Sequence, residues 1–133
     1  MIDTKSAGEV AFERLDTLAN FTSEPGRLTR LYLSPAHKAA ALQVLAWMRE
    51  AGMKTRIDAV GNVVGRYEGV EPGLPALLIG SHIDTVRNAG KYDGNLGVVA
   101  AISAVAALHR RFERLPFAVE VLAFGDEEGV RFP

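Results

Sequence analysis

The sequence contains no cysteine. That excludes a disulfide framework, a thiolate metal site and a cysteine nucleophile, and it fits a reducing compartment. An excess of either charge is missing too. Fifteen lysines and arginines stand against 16 aspartates and glutamates, for a formal net charge of -1. No basic field argues for nucleic acid or an anionic membrane surface. Long apolar runs are absent as well. The longest, residues 96–108, is interrupted by Gly97 and Ser103 and falls short of the roughly 20 residues that span a bilayer. Met1-Ile2-Asp3-Thr4-Lys5 lacks the charged-then-apolar order of a secretory signal. The expectation is a cytoplasmic protein with neither nucleic acid nor membrane as partner.

What is present is ordinary for a globular chain: 48% hydrophobic and 23% charged residues in a length of 133. That is one domain with a real core. Ala7, Ala11, Leu15 and Leu18 share one face of a helix predicted over residues 6–20. Residues 21–33 read as a loop, and Arg27 and Arg30 within it are expected on the solvated surface. Ser34-Pro35 puts a capping serine before a proline at the first helical position. The second helix then runs to about Ala51 and stops at Gly52. Ala41, Val44, Leu45 and Met48 form its buried stripe, with Trp47 packing beside them. His37, in its first turn, is expected to be exposed and without function. Residues 54–58 and 63–67 read as a strand pair across a turn. The apolar run Ala76-Leu77-Leu78-Ile79 suits a strand buried on both faces. A third helix should cover residues 95–111, with Leu96, Val99, Ala100, Ser103 and Ala107 on one face and His109 near its C-terminal dipole. Pro116 then breaks the chain, and residues 117–124 form another apolar strand.

Strand 76–80, helix 95–111 and strand 117–124 make a βαβ unit, with parallel strands and a right-handed crossover. Parallel strands end at one edge. His82 and Asp84 should therefore lie beside Asp126, Glu127 and Glu128, and Asp93 precedes the helix leaving that edge. Ligands of open α/β sheets bind there, outside the carboxyl ends of the strands. A histidine among carboxylates is the chemistry of a hydrolytic metal site. Asp84 either ligates a metal or accepts the second ring N–H of His82. Asp93, with two oxygens, can bridge ions about 3.5–4 Å apart. Of the adjacent Glu127 and Glu128, one can ligate while the other serves as general base on water. Nitrogen and oxygen donors suit Zn2+, Mn2+, Co2+ or Ni2+. Competing motifs fail: Gly94-x-x-Gly97 is no dinucleotide fingerprint, and Ser81 has no G-x-S-x-G elbow around it.

Three clusters carry a resemblance: Gly80-Ser81-His82-Ile83-Asp84-Thr85-Val86, then Asn88-Ala89-Gly90-Lys91-Tyr92-Asp93-Gly94, then Asp126-Glu127-Glu128-Gly129-Val130-Arg131-Phe132. Leu28-Thr29-Arg30-Leu31, Ser34-Pro35, Trp47-Met48 and Asp58-Ala59-Val60-Gly61-Asn62 extend it back to about Arg27. Together they resemble the zinc-dependent peptidase and amidase superfamily. Within it they resemble the branch of N-carbamoyl-L-amino-acid hydrolases, β-ureidopropionases and allantoate amidohydrolases, most of all the last. The resemblance implies an α/β three-layer sandwich with a mostly parallel mixed sheet flanked by helices. It implies two divalent ions in the full-length enzyme, with His82 on one, Glu128 on the other and Asp93 bridging. It further implies Glu127 as general base, Asp84 orienting His82, a small ureido-acid substrate and a homodimer. Members of the branch are roughly three times as long. Residues 1–133 are thus expected to be the N-terminal part of a catalytic domain. The remaining ligands, substrate clamp and lid domain would follow Pro133, and the chain alone would be inert. A metallo-aminopeptidase or dipeptidase on the same scaffold, or a non-catalytic fragment with a degenerate site, are the alternatives.

Overall fold

The computed structural model describes residues 5–132. Helix α1, Ala7–Ala19, opens on a capping box. The Ser6 hydroxyl accepts from the Glu9 amide at 3.2 Å, and the Glu9 carboxylate accepts from the Ser6 amide at 2.7 Å. Helix α2, Pro35–Glu50, starts as the Ser-Pro pair dictates, with the Ser34 hydroxyl accepting from the His37 amide. Strand β1, Lys54–Ile57, pairs antiparallel with β2, Val63–Tyr67. Strand β3, Leu77–His82, leads to helix α3, Asn95–Arg110, and then to β4, Val119–Phe124. The sheet order is β1-β2-β4-β3, so β4 lies between an antiparallel β2 and a parallel β3. The βαβ unit is as the sequence predicts.

The core follows from strand alternation. Val63, Gly65 and Tyr67 stand opposite Ala123, Val121 and Val119, and all of these are buried. A side chain at Gly65 would meet the sulfurs of Met53 and Met48, and one at Gly97 would meet Ser81. Helices α2 and α3 therefore press on the same face of the sheet, and α1 packs on α3. The core joins Leu15 and Leu18, the α2 stripe Ala41, Val44, Leu45 and Met48, and Val98, Val99, Ile102 and Val105 of α3. Trp47 packs beneath the Arg14 guanidinium, 5.0 Å from its ring centroid.

Several expectations need correction. The α/β class and the mixed sheet flanked by helices are present. Among the described residues α2 and α3 lie on one face of the sheet, and two of the three strand pairings are antiparallel. The β1–β2 hairpin joins the sheet through β2, which pairs antiparallel with β4. The opposite sheet face carries Val64, Leu122 and Leu78, beside an Arg66–Glu120 ion pair at 2.8 Å. Strand β3 is not buried on both faces. It is an edge strand, and Leu78 is 62% exposed. The α3 stripe is rotated from the predicted one: Asn95, Val98, Val99, Ile102 and Val105 point inward, while Leu96 is exposed. The β-branched residues hold more apolar area than the alanines on the predicted side, and that area decides the face. His109 does sit in the last turn of α3.

Two polar residues assigned to the surface are interior. Arg30 is fully buried, whereas Arg27 is exposed as expected. His37 is only 3% exposed, edge-on to Tyr32, and among the described residues its Nε2 has no hydrogen-bond partner. Burial pushes its pKa below the ordinary value. Arg30 pushes the same way, and Asp84 and Asp126 oppose. The charged imidazolium is thus disfavoured in the folded state, while the unfolded chain takes up a proton near pH 6.5. This contribution to stability is intact above about pH 6.5 and is lost as the pH falls below it. We expect the urea midpoint to drop between pH 7 and pH 5, and to drop less in His37→Gln. Equal drops in both proteins would contradict that assignment.

Candidate metal centre

The geometry begins with His82, the last residue of β3. Its Nδ1 lies 2.9 Å from the main-chain carbonyl oxygen of Asp84. A carbonyl only accepts, so Nδ1 carries a proton, and Nε2 is the nitrogen left to face a ligand. Nε2 points at acids: Asp93 Oδ1 is 3.6 Å away and Glu127 Oε2 is 3.5 Å away. One donor atom each from His82, Asp93 and Glu128 lie within 4.8 Å of one another. Imidazole nitrogen and carboxylate oxygen donors at that spacing suit a hard or borderline divalent cation.

Each residue is placed by local structure. Asp93 ends the turn before α3, and Gly94 caps that helix at φ +68°. A side chain at Gly94 would sit 2.5 Å from the His82 ring, so glycine lets the helix terminus close over the imidazole. Asp84 is 1% exposed; its Oδ1 is 3.6 Å from His82 Nδ1, and its Oδ2 accepts from the Glu128 amide at 3.2 Å. The Asp84 carboxylate thus ties the β3 end to the loop after β4. Asp126 sits in that loop at φ +59° and accepts the Arg131 and Phe132 amides. It serves the turn through these two bonds. The Glu128 carboxyl has a raised pKa, first through burial and then through the charges of Asp93, Glu127 and Asp84, with His82 opposing. Carboxylates that crowd one another in this way are relieved by a cation.

The five predicted residues, His82, Asp84, Asp93, Glu127 and Glu128, therefore come together. The nearest partner of the His82 N–H is the Asp84 main chain, with its side chain second. Two buried neighbours escaped the sequence reading, Arg30 and Asn95. Arg30 carried a weak signal, since it falls among apolar residues in Leu28-Thr29-Arg30-Leu31. Asn95 offered none beyond its place at the helix start.

Residues 78–131 match the model of peptidase family M20/M25/M40. Allantoate deiminase 1 of Glycine max is 49% identical over 124 residues, which cover 92% of this chain and 26% of that protein. Over most of its length the chain is similar to this deiminase. The N-carbamoyl-L-amino-acid amidohydrolase of Pseudomonas sp. (strain NS671) is 50% identical over 103 residues, covering 77% of the chain and 25% of the enzyme. A hydantoinase/carbamoylase family amidase from Burkholderia ambifaria superposes with a TM-score of 0.89 at 32% identity, over 95% of this chain and 31% of that one. The chain thus spans about a quarter to a third of the length of the relatives it matches. His82, Asp93 and Glu128 all lie within the segment that matches this family. No helix among the described residues is long and apolar enough to cross a membrane.

Proposed function

We propose that this chain supplies part of the active site of a metal-dependent amidohydrolase acting on a linear ureido or carbamoyl C–N bond of a carboxylate-bearing small molecule. Allantoate is the first candidate and N-carbamoyl amino acids the second. The observation that carries this reading is His82 Nε2 facing Asp93 and Glu127, with Glu128 within reach of the same point. His82, Asp93 and Glu128 would hold the ions, with Asp93 shared between two of them, and Zn2+ or Mn2+ leads Co2+ and Ni2+. A bound divalent ion supplies Lewis acidity and lowers the pKa of water toward 7. Glu127 accepts a proton from the attacking water and returns it to the departing nitrogen, as the carbonyl carbon gains an oxygen and loses its C–N bond. Asp84 holds the His82 segment and the Glu128 loop in register. A homodimer in the cytoplasm completes the reading.

With one further ligand per ion beyond the shared Asp93, residues 1–133 fall short of the three protein ligands a zinc site normally has. The 133-residue chain alone should bind metal weakly and turn nothing over. The full-length protein should hydrolyse allantoate or an N-carbamoyl amino acid. Assay of both against allantoate, N-carbamoyl amino acids and dipeptides decides the matter. Dipeptide cleavage without action on ureido acids would replace this reading with a dipeptidase. Turnover by the 133-residue chain would overturn the expected inactivity. Calorimetry with Zn2+ and Mn2+ on wild type and Asp93→Ala tests the ion site directly, and identical heats would remove it and leave a non-catalytic module.

A further inference from the structure

Arg30 is the largest fully buried side chain, and it lies outside the five residues above. Among the described residues no carboxylate oxygen comes within 4.0 Å of it, so no ion pair explains its place in the interior. Its partners are neutral acceptors. Nε donates to the Ile83 carbonyl at 2.7 Å, and Nη2 donates to Asn95 Oδ1 at 2.6 Å. Nη1 donates to the carbonyls of Leu18 at 2.6 Å and Phe21 at 3.0 Å. The backbone joins in: the Arg30 amide donates to the Thr85 hydroxyl, and the Thr85 amide donates to the Arg30 carbonyl.

The identity of these partners matters more than their number. Ile83 lies between His82 and Asp84. Asn95 is two residues after Asp93, is itself fully buried, and its amide side chain donates to the Lys91 carbonyl. One edge of the planar guanidinium, Nε with Nη2, therefore spans the end of β3 and the start of α3. Those two segments carry the 3.6 Å pair His82 Nε2 and Asp93 Oδ1. The other end is anchored at the C-terminus of α1. A rigid fork with fixed donor directions sets a distance between its acceptors; an ammonium on a flexible stem does not. Desolvating a guanidinium is costly unless every donor direction is met.

We infer that Arg30 is a positioning residue for the metal centre, setting the separation of His82 and Asp93 through the Ile83 carbonyl and Asn95. The inference rests on the metal reading proposed above. Burial pulls the guanidinium pKa down to about 10, with the Asp84 charge opposing, so the group still carries its charge at neutral pH.

The test uses the full-length protein and Co2+, with affinity and visible absorption spectrum as readouts beside thermal unfolding. Arg30→Lys keeps a charge near Asp84 and loses the fork. Asn95→Ala removes one acceptor and leaves the Ile83, Leu18 and Phe21 contacts in place, which keeps the test open if Arg30→Lys does not fold. Ile102→Ala, a core change about two turns along α3 from Asn95 that removes none of these hydrogen bonds, controls for stability loss. We expect Co2+ affinity to fall about tenfold or more in Asn95→Ala and in Arg30→Lys, with an altered spectrum, and to stay unchanged in Ile102→Ala. Unchanged affinity and spectrum in folded Asn95→Ala would overturn the inference while the metal site stands. Wild-type protein that binds no Co2+ would overturn the metal site and the inference with it.

Discussion

Glu127→Gln in the full-length protein is expected to lower kcat by about 10²–10⁴-fold, the range that a general base contributes. Divalent-ion affinity should change little. Glutamine keeps the size of the side chain and removes its capacity to take a proton. Glu127 Oε2 stands 3.5 Å from His82 Nε2, close to the ion position without being needed in the triad of His82, Asp93 and Glu128. Glu128→Gln should behave in the opposite way, losing ion affinity first. Steady-state kinetics at saturating metal, beside calorimetric titration of both variants, separates the two roles. If Glu127→Gln loses affinity and Glu128→Gln loses only kcat, the assignments exchange. If Glu127→Gln retains full turnover, neither the base nor the mechanism survives.

Gly94→Ala should disable the centre from the other side. Two costs coincide at this position. An L side chain at φ +68° is strained by on the order of 1–3 kcal/mol. The new methyl would also lie 2.5 Å from Cε1 and Nε2 of His82, which is the nitrogen that faces the acids. Either the ring or the start of α3 has to move. We expect ion affinity to fall by more than about a hundredfold, together with a lower urea midpoint. Gly73→Ala is the matched control, since Gly73 has φ +83° and open space where a methyl would go. It should lower stability without touching ion affinity. Native affinity in Gly94→Ala would show that the ring does not have to stay where it is.

Much of the arrangement was legible in the residues. Ser34-Pro35 and Gly52 bracketed α2 because capping chemistry is local. The βαβ order brought His82, Asp84, Asp93, Glu127 and Glu128 together because parallel strands must end at one edge. What failed depended on neighbours distant in sequence. The run Leu77-Leu78-Ile79 has the composition of a central strand, but its burial depends on what pairs beyond it, and among the described residues nothing does. The stripe of α3 was misplaced because an alanine-rich helix has a weak apolar direction, and Val98, Ile102 and Val105 set it only once the sheet is present. Arg30 and His37 were assigned to solvent by residue type. Their burial comes from acceptors and packing partners up to 65 positions away, which no local window reveals.

The hydrogen bond from His82 Nδ1 ends on a peptide carbonyl. Any residue at position 84 would offer that oxygen, so the acceptor facing His82 Nδ1 does not depend on which side chain stands there. The Asp84 carboxylate is thereby released to hold the Glu128 amide. Substitutions at position 84 should thus damage the acidic loop before they damage the histidine. The orientation of the ring is thus set by the path of the main chain between β3 and the acidic loop.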